Sequence, residues 1–125
     1  MKLNQVTVGT TDYAASVDFY RRLGLKQIVD SPPRYARFET PGGETFSIHL
    51  VDAVASTTIV YFELDDVDAF VAGLDLPLIH PPVDRDWLWR EARLADPSGN
   101  VICIYRAGEN RRFPPWRMAP GAGDR

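Results

Sequence analysis

Two short stretches of the sequence place charged and aromatic side chains at alternate positions. The first carries Tyr35 and Arg37, and the second carries Trp89, Glu91 and Arg93. Alternate residues of a β-strand share one face, so each stretch would present a face too polar for a core and too aromatic for an ordinary wet surface. An arginine on such a face suits a ligand carboxylate or phosphate, because its guanidinium donates parallel hydrogen bonds to either group. These residue types predict the wall of a binding cleft.

The charges in the two stretches admit a second interpretation. Arg37 and Glu39 in one stretch, and Glu91 and Arg93 in the other, follow in a crossed order. They could pair with each other across the cleft instead of contacting a ligand, since buried charges need partners in either case. The sequence leaves both alternatives open.

Hydrophobic patterning predicts the elements that hold these residues. In four segments the even positions carry most of the apolar residues, which indicates strands with one buried face, so the odd positions are predicted to line the cleft. The four segments are 4–8, 46–50, 58–64 and 102–104. Asp12 and Asp66 are suited to cap the starts of two helices. A final hairpin is predicted over 87–105, around a turn at 96–100 and with Leu88 on its apolar face.

The order of these elements is repeated. Gln5 to Asp12 and Ile59 to Asp66 span the same interval, so the two halves superpose with an offset of 54 residues. We therefore predict an α+β fold of two tandem βαβββ modules. Their strands would form a curved, partly closed mixed sheet around a cleft, with the helices outside. A single domain is expected over 1–106, with module one at about 1–54, module two at about 55–106, and a C-terminal tail at 107–125.

The residues predicted to touch a ligand come from odd positions of both modules. They are Gln5, Tyr35, Arg37, His49, Tyr61, Trp89, Arg93 and Cys103. Trp89 and Tyr35, taken as related positions of the two modules, would supply flat apolar area. The polar members would orient the ligand by hydrogen bonds. This set predicts a small, partly aromatic or amphipathic organic ligand.

Composition narrows the class of protein. The chain has 125 residues, of which 45% are hydrophobic and 25% are charged, as is usual for one globular domain. A net charge of −3 gives no electrostatic support for nucleic acid or an anionic membrane as a partner. No apolar run approaches the roughly 20 residues that span a bilayer, and the start lacks the apolar block of a signal peptide. A single cysteine excludes an internal disulfide. A cytoplasmic protein is expected.

The duplicated pattern resembles the vicinal oxygen chelate superfamily, which includes glyoxalases, ring-cleaving dioxygenases and bleomycin-resistance proteins. The resemblance extends over 2–106 and is carried by SVDFYRRLGL at 16–25, YFELDD at 61–66 and DPSGN at 96–100. It implies a small-molecule-binding protein of the glyoxalase, bleomycin-resistance or dioxygenase type. It also implies a homodimer, because relatives commonly cover their open sheet edges by pairing subunits. The tail is similar to one on an uncharacterised branch of the superfamily, and would strap the domain or reach a second subunit.

The resemblance also implies where a metal would bind. Metal-dependent members take ligands from the first and last strand of each module, usually His or Gln, Glu, His and Glu. The matching positions here are Gln5, His49 (or Ser47), Ile59 and Cys103. Isoleucine cannot coordinate a metal and the set contains no carboxylate, so no cofactor is expected. An unconventional divalent-metal site of Gln5, His49 and Cys103 stays open, because soft ligands suit zinc or copper.

Three classes of function follow. The first is a ligand-binding protein without a catalytic metal. The second is a metal-dependent lyase, isomerase or dioxygenase that acts on a small oxygenated or aromatic substrate. The third is a structural dimer with a vestigial cleft. Within the enzyme class, Cys103 could be a nucleophile activated by His49, although a lone buried cysteine is usually a small hydrophobe.

Overall fold

Both halves of the chain fold as a βαβββ module, as the sequence predicts. The computed structural model describes residues 1–54 and 58–123, so the predicted start of the second module at about residue 55 lies outside the described residues. The first module consists of β1 (Gln5–Thr10), α1 (Tyr13–Leu23), β2 (Lys26–Ser31), β3 (Tyr35–Glu39) and β4 (Thr45–Leu50). The second consists of β5 (Ile59–Glu63), α2 (Val67–Ala72), β6 (His80–Asp84), β7 (Arg90–Ala95) and β8 (Val101–Arg106).

The strands form two four-stranded mixed sheets. The strand order is β1-β4-β3-β2 in the first sheet and β5-β8-β7-β6 in the second. In each sheet the first and last strands of the module pair in parallel, and the remaining pairs are antiparallel. This confirms the α+β class and the duplication. Each sheet is open, so β1, β2, β5 and β6 are edge strands.

The predicted caps start both helices. Asp12 and Asp66 adopt extended backbone conformations, and their carboxylates accept hydrogen bonds from the third backbone N–H further on, at 3.1 and 3.0 Å. Gly24 ends α1 in a left-handed conformation with a φ of 110°, which a residue without a Cβ adopts at little cost. The helical spacing of Val67, Phe70, Val71 and Leu74 predicts a second helix that reaches Leu74. Helix α2 is shorter, because it ends at Gly73. No described helix has the length and apolarity needed to cross a membrane.

The core is built from the even positions of both sheets together with the buried side of α1. The strand members are Val8, Ala36, Phe38, Phe46, Ile48, Val60, Ala92, Leu94, Ile102 and Ile104. The rings of Phe46 and Phe62 meet at 6.0 Å and join the two modules. The predicted alternation is therefore confirmed, and the odd faces of both sheets point away from this core.

The turn at 96–100 bonds the second module to the first. The Asp96 carboxylate accepts hydrogen bonds from the backbone N–H groups of Ser98 and Asn100, both at 2.9 Å, and from the Tyr20 hydroxyl of α1 at 2.5 Å. The Asn100 amide donates to the Gly9 carbonyl at 2.9 Å. Side chains of the turn thus satisfy polar groups that the first module buries.

The predicted hairpin over 87–105 begins later than expected. The extended segment begins at His80, and β7 begins only at Arg90, so the residues from 85 to 89 form the connection. The Leu88 N–H donates to the Arg85 carbonyl at 3.0 Å, which closes a tight turn. Leu88 takes a φ of 68° and is half-exposed, instead of packing on the apolar face. The alternating pattern was wrong here because a turn, and not a strand, sets the direction of these side chains.

Candidate functional site

The eight predicted ligand residues fall into two groups, one on the odd face of each sheet. Gln5, Tyr35, Arg37 and His49 lie on the first sheet. Tyr61, Trp89, Arg93 and Cys103 lie on the second sheet or beside it. Within the described residues, no side-chain hydrogen bond, salt bridge or ring contact joins one group to the other.

An aromatic face, made of Tyr61, Trp89 and Tyr105, covers part of the second sheet. Trp89 stacks on Tyr105 with ring centroids 4.5 Å apart, and Tyr61 meets both rings edge-on at 5.9 and 5.7 Å. Tyr61 is 45% exposed, so the cluster is open to solvent on one side. Tyr35 lies on the other sheet, and the strand register makes Glu91, not Trp89, its counterpart in the second module. Tyr105 was missed as a site residue, although its odd position next to Cys103 was the signal.

The start of the C-terminal tail lies beside this aromatic face. Glu63, the last residue of β5, accepts hydrogen bonds from the N–H groups of Ala107 and Gly108 at 2.7 and 2.9 Å. The Trp89 indole donates to the Asn110 carbonyl at 3.4 Å. The tail therefore straps its own domain as far as residue 110.

A buried carboxylate organises the charges of the second sheet. Glu91 has no exposed surface, and its Oε2 lies 2.7 Å from Arg93 Nε, 3.5 Å from His80 Nε2 and 3.7 Å from Arg85 Nη2. His80 Nδ1 lies 2.8 Å from the carbonyl of Pro81, and its Nε2 lies 3.0 Å from Arg85. The Nδ1–H tautomer fits both contacts, since it donates to the carbonyl and accepts from the guanidinium.

The two glutamates pair within their own sheets, so the predicted pairing across the cleft is not found among the described residues. Glu91 bonds Arg93 in the same strand, and Glu39 lies 3.7 Å from Lys26 of the neighbouring strand. The Oε1 oxygen of Glu91 has no hydrogen-bond partner within the part of the chain that the structure describes. Glu91 was predicted on the cleft wall, but its contacts with His80 and Arg85 were not, because they arise where β6 and its turn fold against β7.

Cys103 is a buried thiol in the middle of the second sheet. Burial and the nearby Glu91 carboxylate raise the pKa of Cys103 to about 11, so the thiol is protonated near neutral pH. His49, the predicted activating base, lies on the other sheet and is exposed. The geometry supports a small buried hydrophobe and gives the nucleophile hypothesis no base.

A hydroxyl cluster, made of Thr7, Tyr35, Arg37 and Ser47, occupies the first sheet. The Thr7 and Ser47 hydroxyls share a hydrogen bond of 2.6 Å, and Arg37 Nε donates to the Tyr35 hydroxyl at 2.9 Å. Desolvation raises the pKa of Tyr35, but polar contacts with Ser47, Arg37 and Gln5 outweigh it, so the pKa lies below its usual value. This arrangement favours a hydroxyl that gives up or shares its proton readily.

The two modules are not related by one constant offset. Strands β1 and β5 keep the offset of 54, which makes Ile59 the counterpart of Gln5. Gln5 pairs with Thr45, whereas Ile59 pairs with Val101, which lies 56 positions after Thr45. The second module therefore contains two extra residues before its last strands, and the predicted constant offset is wrong beyond the helices.

The corrected register changes which residues correspond. Arg37 pairs with Ser47 across the first sheet, and Arg93 pairs with Cys103 across the second. Arg37 is thus the counterpart of Arg93, and Ser47 that of Cys103. Ser47, and not His49, is then the first-module position that matches the family's metal ligand in the last strand.

The residues at the family's metal positions do not fit a divalent cation. Ile59 offers no donor atom, none of the four positions carries a carboxylate, and the Ser47 hydroxyl is bonded to Thr7. The alternative set of Gln5, His49 and Cys103 is divided between two sheets. In the described ranges, no group of three or more His, Cys, Asp or Glu side chains is placed to hold a metal ion.

A protein from Streptomyces peucetius is similar in sequence to most of this chain. The anthracycline biosynthesis protein DnrV of Streptomyces peucetius is 30% identical to this chain over 124 residues. The match covers 81% of this chain and 45% of the relative, so the chain spans a little under half of that protein's length.

Solved structures share the fold. A lactoylglutathione lyase from Agrobacterium tumefaciens superposes with a TM-score of 0.72 at 18% identity, covering 84% of this chain and 92% of that one. A bleomycin-binding protein complexed with bleomycin superposes with a TM-score of 0.70 at 18% identity, covering 85% and 98%. The sequence profile of one family matches residues 2–104. This chain therefore belongs to the Glyoxalase/Bleomycin resistance protein/Dioxygenase superfamily.

Proposed function

We propose that this chain binds a small, partly aromatic organic molecule against the aromatic face of its second sheet, without a catalytic metal. The observation that carries the proposal is the open cluster of Tyr61, Trp89 and Tyr105, in which Tyr61 is 45% exposed. A ligand ring placed on such a face gains about 0.5–1.5 kcal/mol for each well-oriented aromatic pair, beyond simple burial. The half-buried Arg93, paired with Cys103 on the same face, would help orient a polar substituent.

The relatives are consistent with a small organic ligand. One solved structure of this fold is a bleomycin-binding protein complexed with bleomycin, and one sequence relative is named for anthracycline biosynthesis. The absence of a catalytic metal is supported by the donor set, since an isoleucine stands at one of the four family positions and a carboxylate at none of them.

Calorimetric titration with 2-naphthoate tests the ligand site. The parent protein should bind this aromatic acid saturably, and Trp89→Ala should weaken the affinity roughly threefold to tenfold through the lost ring contact. Trp116→Ala is the matched control, because Trp116 is a 58% exposed tryptophan of the tail. If neither naphthoates nor benzoates bind, the aromatic face serves packing alone, and the structural function is preferred.

Metal analysis separates binding from the metal-dependent enzyme. Protein purified without a histidine tag should carry far less than one equivalent of zinc, copper, iron or manganese. Stoichiometric metal that is lost on Gln5→Ala or His49→Ala would overturn the metal-free proposal and favour a lyase, isomerase or dioxygenase.

A homodimer is part of the proposal. Among the described residues, each of the four edge strands has one side without a partner strand. Apolar side chains on or beside these strands, Val6, Ile28 and Leu50, are 39%, 42% and 46% exposed. Pairing with a second copy would cover these edges. Light scattering at tens of micromolar should give twice the monomer mass. An unchanged dimer after deletion of 107–125 would show that the tail is not needed for dimerisation.

A further inference from the structure

Arg37 on the first sheet is held in place but lacks a negative partner. Its Nε donates to the Tyr35 hydroxyl at 2.9 Å, which fixes the guanidinium over the strand. Among the described residues no carboxylate lies within 4.0 Å of it, whereas its counterpart Arg93 bonds Glu91 at 2.7 Å. A half-buried, immobilised cation without a counter-ion attracts an anion from solution.

The groups around Arg37 are hydroxyls that can donate. Ser47 is fully buried and lies directly opposite Arg37 in the strand register, and its hydroxyl bonds that of Thr7 at 2.6 Å. The Tyr35 oxygen already accepts from Arg37, so its own O–H remains able to donate outward. Tyr35 and Arg37 are both partly exposed, so a small molecule can reach them.

We infer that the hydroxyl cluster is an oxyanion-binding site that takes the ionised oxygen of a small phenol or enol. The Tyr35 O–H presents one donor next to one positive charge, which suits a single anionic oxygen. Ser47 and Thr7 hold the neighbouring hydroxyl network in place. This site lies on the other sheet from the aromatic face and does not rest on the function proposed above.

The ionised oxygen should be bound in preference to the neutral hydroxyl. The guanidinium charge of Arg37 favours the anionic form of the guest and leaves the neutral form without that attraction. A phenol that enters the site should therefore ionise at a lower pH than it does in water.

Absorbance titration with 4-nitrophenol tests this, because only its ionised form is yellow. The parent should lower the apparent pKa of the bound probe. Tyr35→Phe and Arg37→Met should each weaken binding of the anion about tenfold, since the first removes the hydrogen-bond donor and the second removes the adjacent positive charge. The matched control is Arg34→Met, which removes an exposed arginine from the turn that precedes β3. This control should bind the probe as the parent does.

Circular dichroism of every variant confirms that it is folded. Equal binding of the anion by parent, Y35F and R37M, or a loss in the Arg34 control as large as in R37M, would overturn the inference. Unshifted ionisation of the bound probe would overturn it as well. Trp89→Ala separates the two sites, because it should impair 2-naphthoate and leave 4-nitrophenolate unaffected.

Discussion

Arg37 and Arg93 occupy equivalent positions in the two modules and make the same contact with different partners. Each donates from Nε to the side chain two residues earlier in its own strand, Arg37 to Tyr35 at 2.9 Å and Arg93 to Glu91 at 2.7 Å. The duplicated scaffold thus presents one arginine beside a neutral phenol and one beside a buried carboxylate. The two faces therefore differ in charge although their backbones match.

The pair of Glu91 and Arg93 makes a stability prediction. Arg93→Met should lower the free energy of unfolding by about 3 kcal/mol, because it leaves a buried carboxylate without its closest partner. Adding Glu91→Gln should recover most of this loss, since no buried charge then remains unpaired. Urea denaturation measures both effects. Equal stability of R93M and the parent would show that Arg85 alone neutralises Glu91.

The bond between Tyr20 and Asp96 predicts a loss of stability in alkali. Burial and the Asp96 carboxylate raise the pKa of Tyr20 above its ordinary value of 10.0. The folded state then keeps a proton that the unfolded chain releases, so the stabilisation is complete below about pH 10 and falls as the pH rises further. The Tyr13 hydroxyl, whose pKa burial and Asp30 raise to about 12, acts in the same direction.

Replacement of Tyr20 by phenylalanine should flatten this dependence. Urea denaturation of Y20F between pH 8 and 11 should show a lower free energy of unfolding at pH 8, by about 1–3 kcal/mol, and a smaller decline above pH 10. Tyr35→Phe is the control, because the pKa of Tyr35 is lowered and its linkage has the opposite sign. Identical alkaline slopes in parent and Y20F would contradict the assignment.

Cys103 should be unreactive in the native protein. Its thiol is buried and its pKa is raised to about 11, so little thiolate exists at pH 8 and reagents cannot reach it. Ellman's reagent should label less than a tenth of the protein under native conditions and one thiol per chain in urea. Rapid native labelling would restore the nucleophile hypothesis.

The tail anchor can be tested by proteolysis. Glu63→Ala removes the acceptor of two backbone hydrogen bonds at the start of the tail, so trypsin should cut faster after Arg111 and Arg112. Glu109→Ala, which makes no such contact, should leave the rate unchanged. Loss of the Trp89 contact should also shift the tryptophan emission of E63A to longer wavelength.

Local chemistry was sufficient to predict the modules, the caps and the buried faces. Asp12 and Asp66 act within three residues of themselves, and the even positions of the strands are buried because alternation belongs to the strand itself. The constant offset was wrong because register depends on which strands pair. The second module has two extra residues before its last strands. Because two is an even number, the same face of each strand stays buried, but each later residue now corresponds to the first-module residue 56 positions earlier instead of 54.

The site contacts could be predicted only in part for the same reason. The odd face of each sheet was predicted. The stack of Trp89 on Tyr105 and the burial of Glu91 were not, because they depend on how β6 and the turn after it fold over the second sheet. Trp89 precedes β7, in a connection that the alternating pattern had assigned to a strand. A turn of this kind leaves no periodic signal.

The turn at 96–100 has a consequence for how the chain acquires its structure. Its bonds to Gly9 and Tyr20 span 91 and 76 positions, so they form only after most of the chain is present. During synthesis the first module leaves the ribosome before its partner turn exists, and the Asp96 bond to Tyr20 is made late. Such distant pairing slows folding relative to proteins with mostly local contacts. Until the turn has been synthesised, the Tyr20 hydroxyl therefore lacks the carboxylate acceptor that it has in the complete fold.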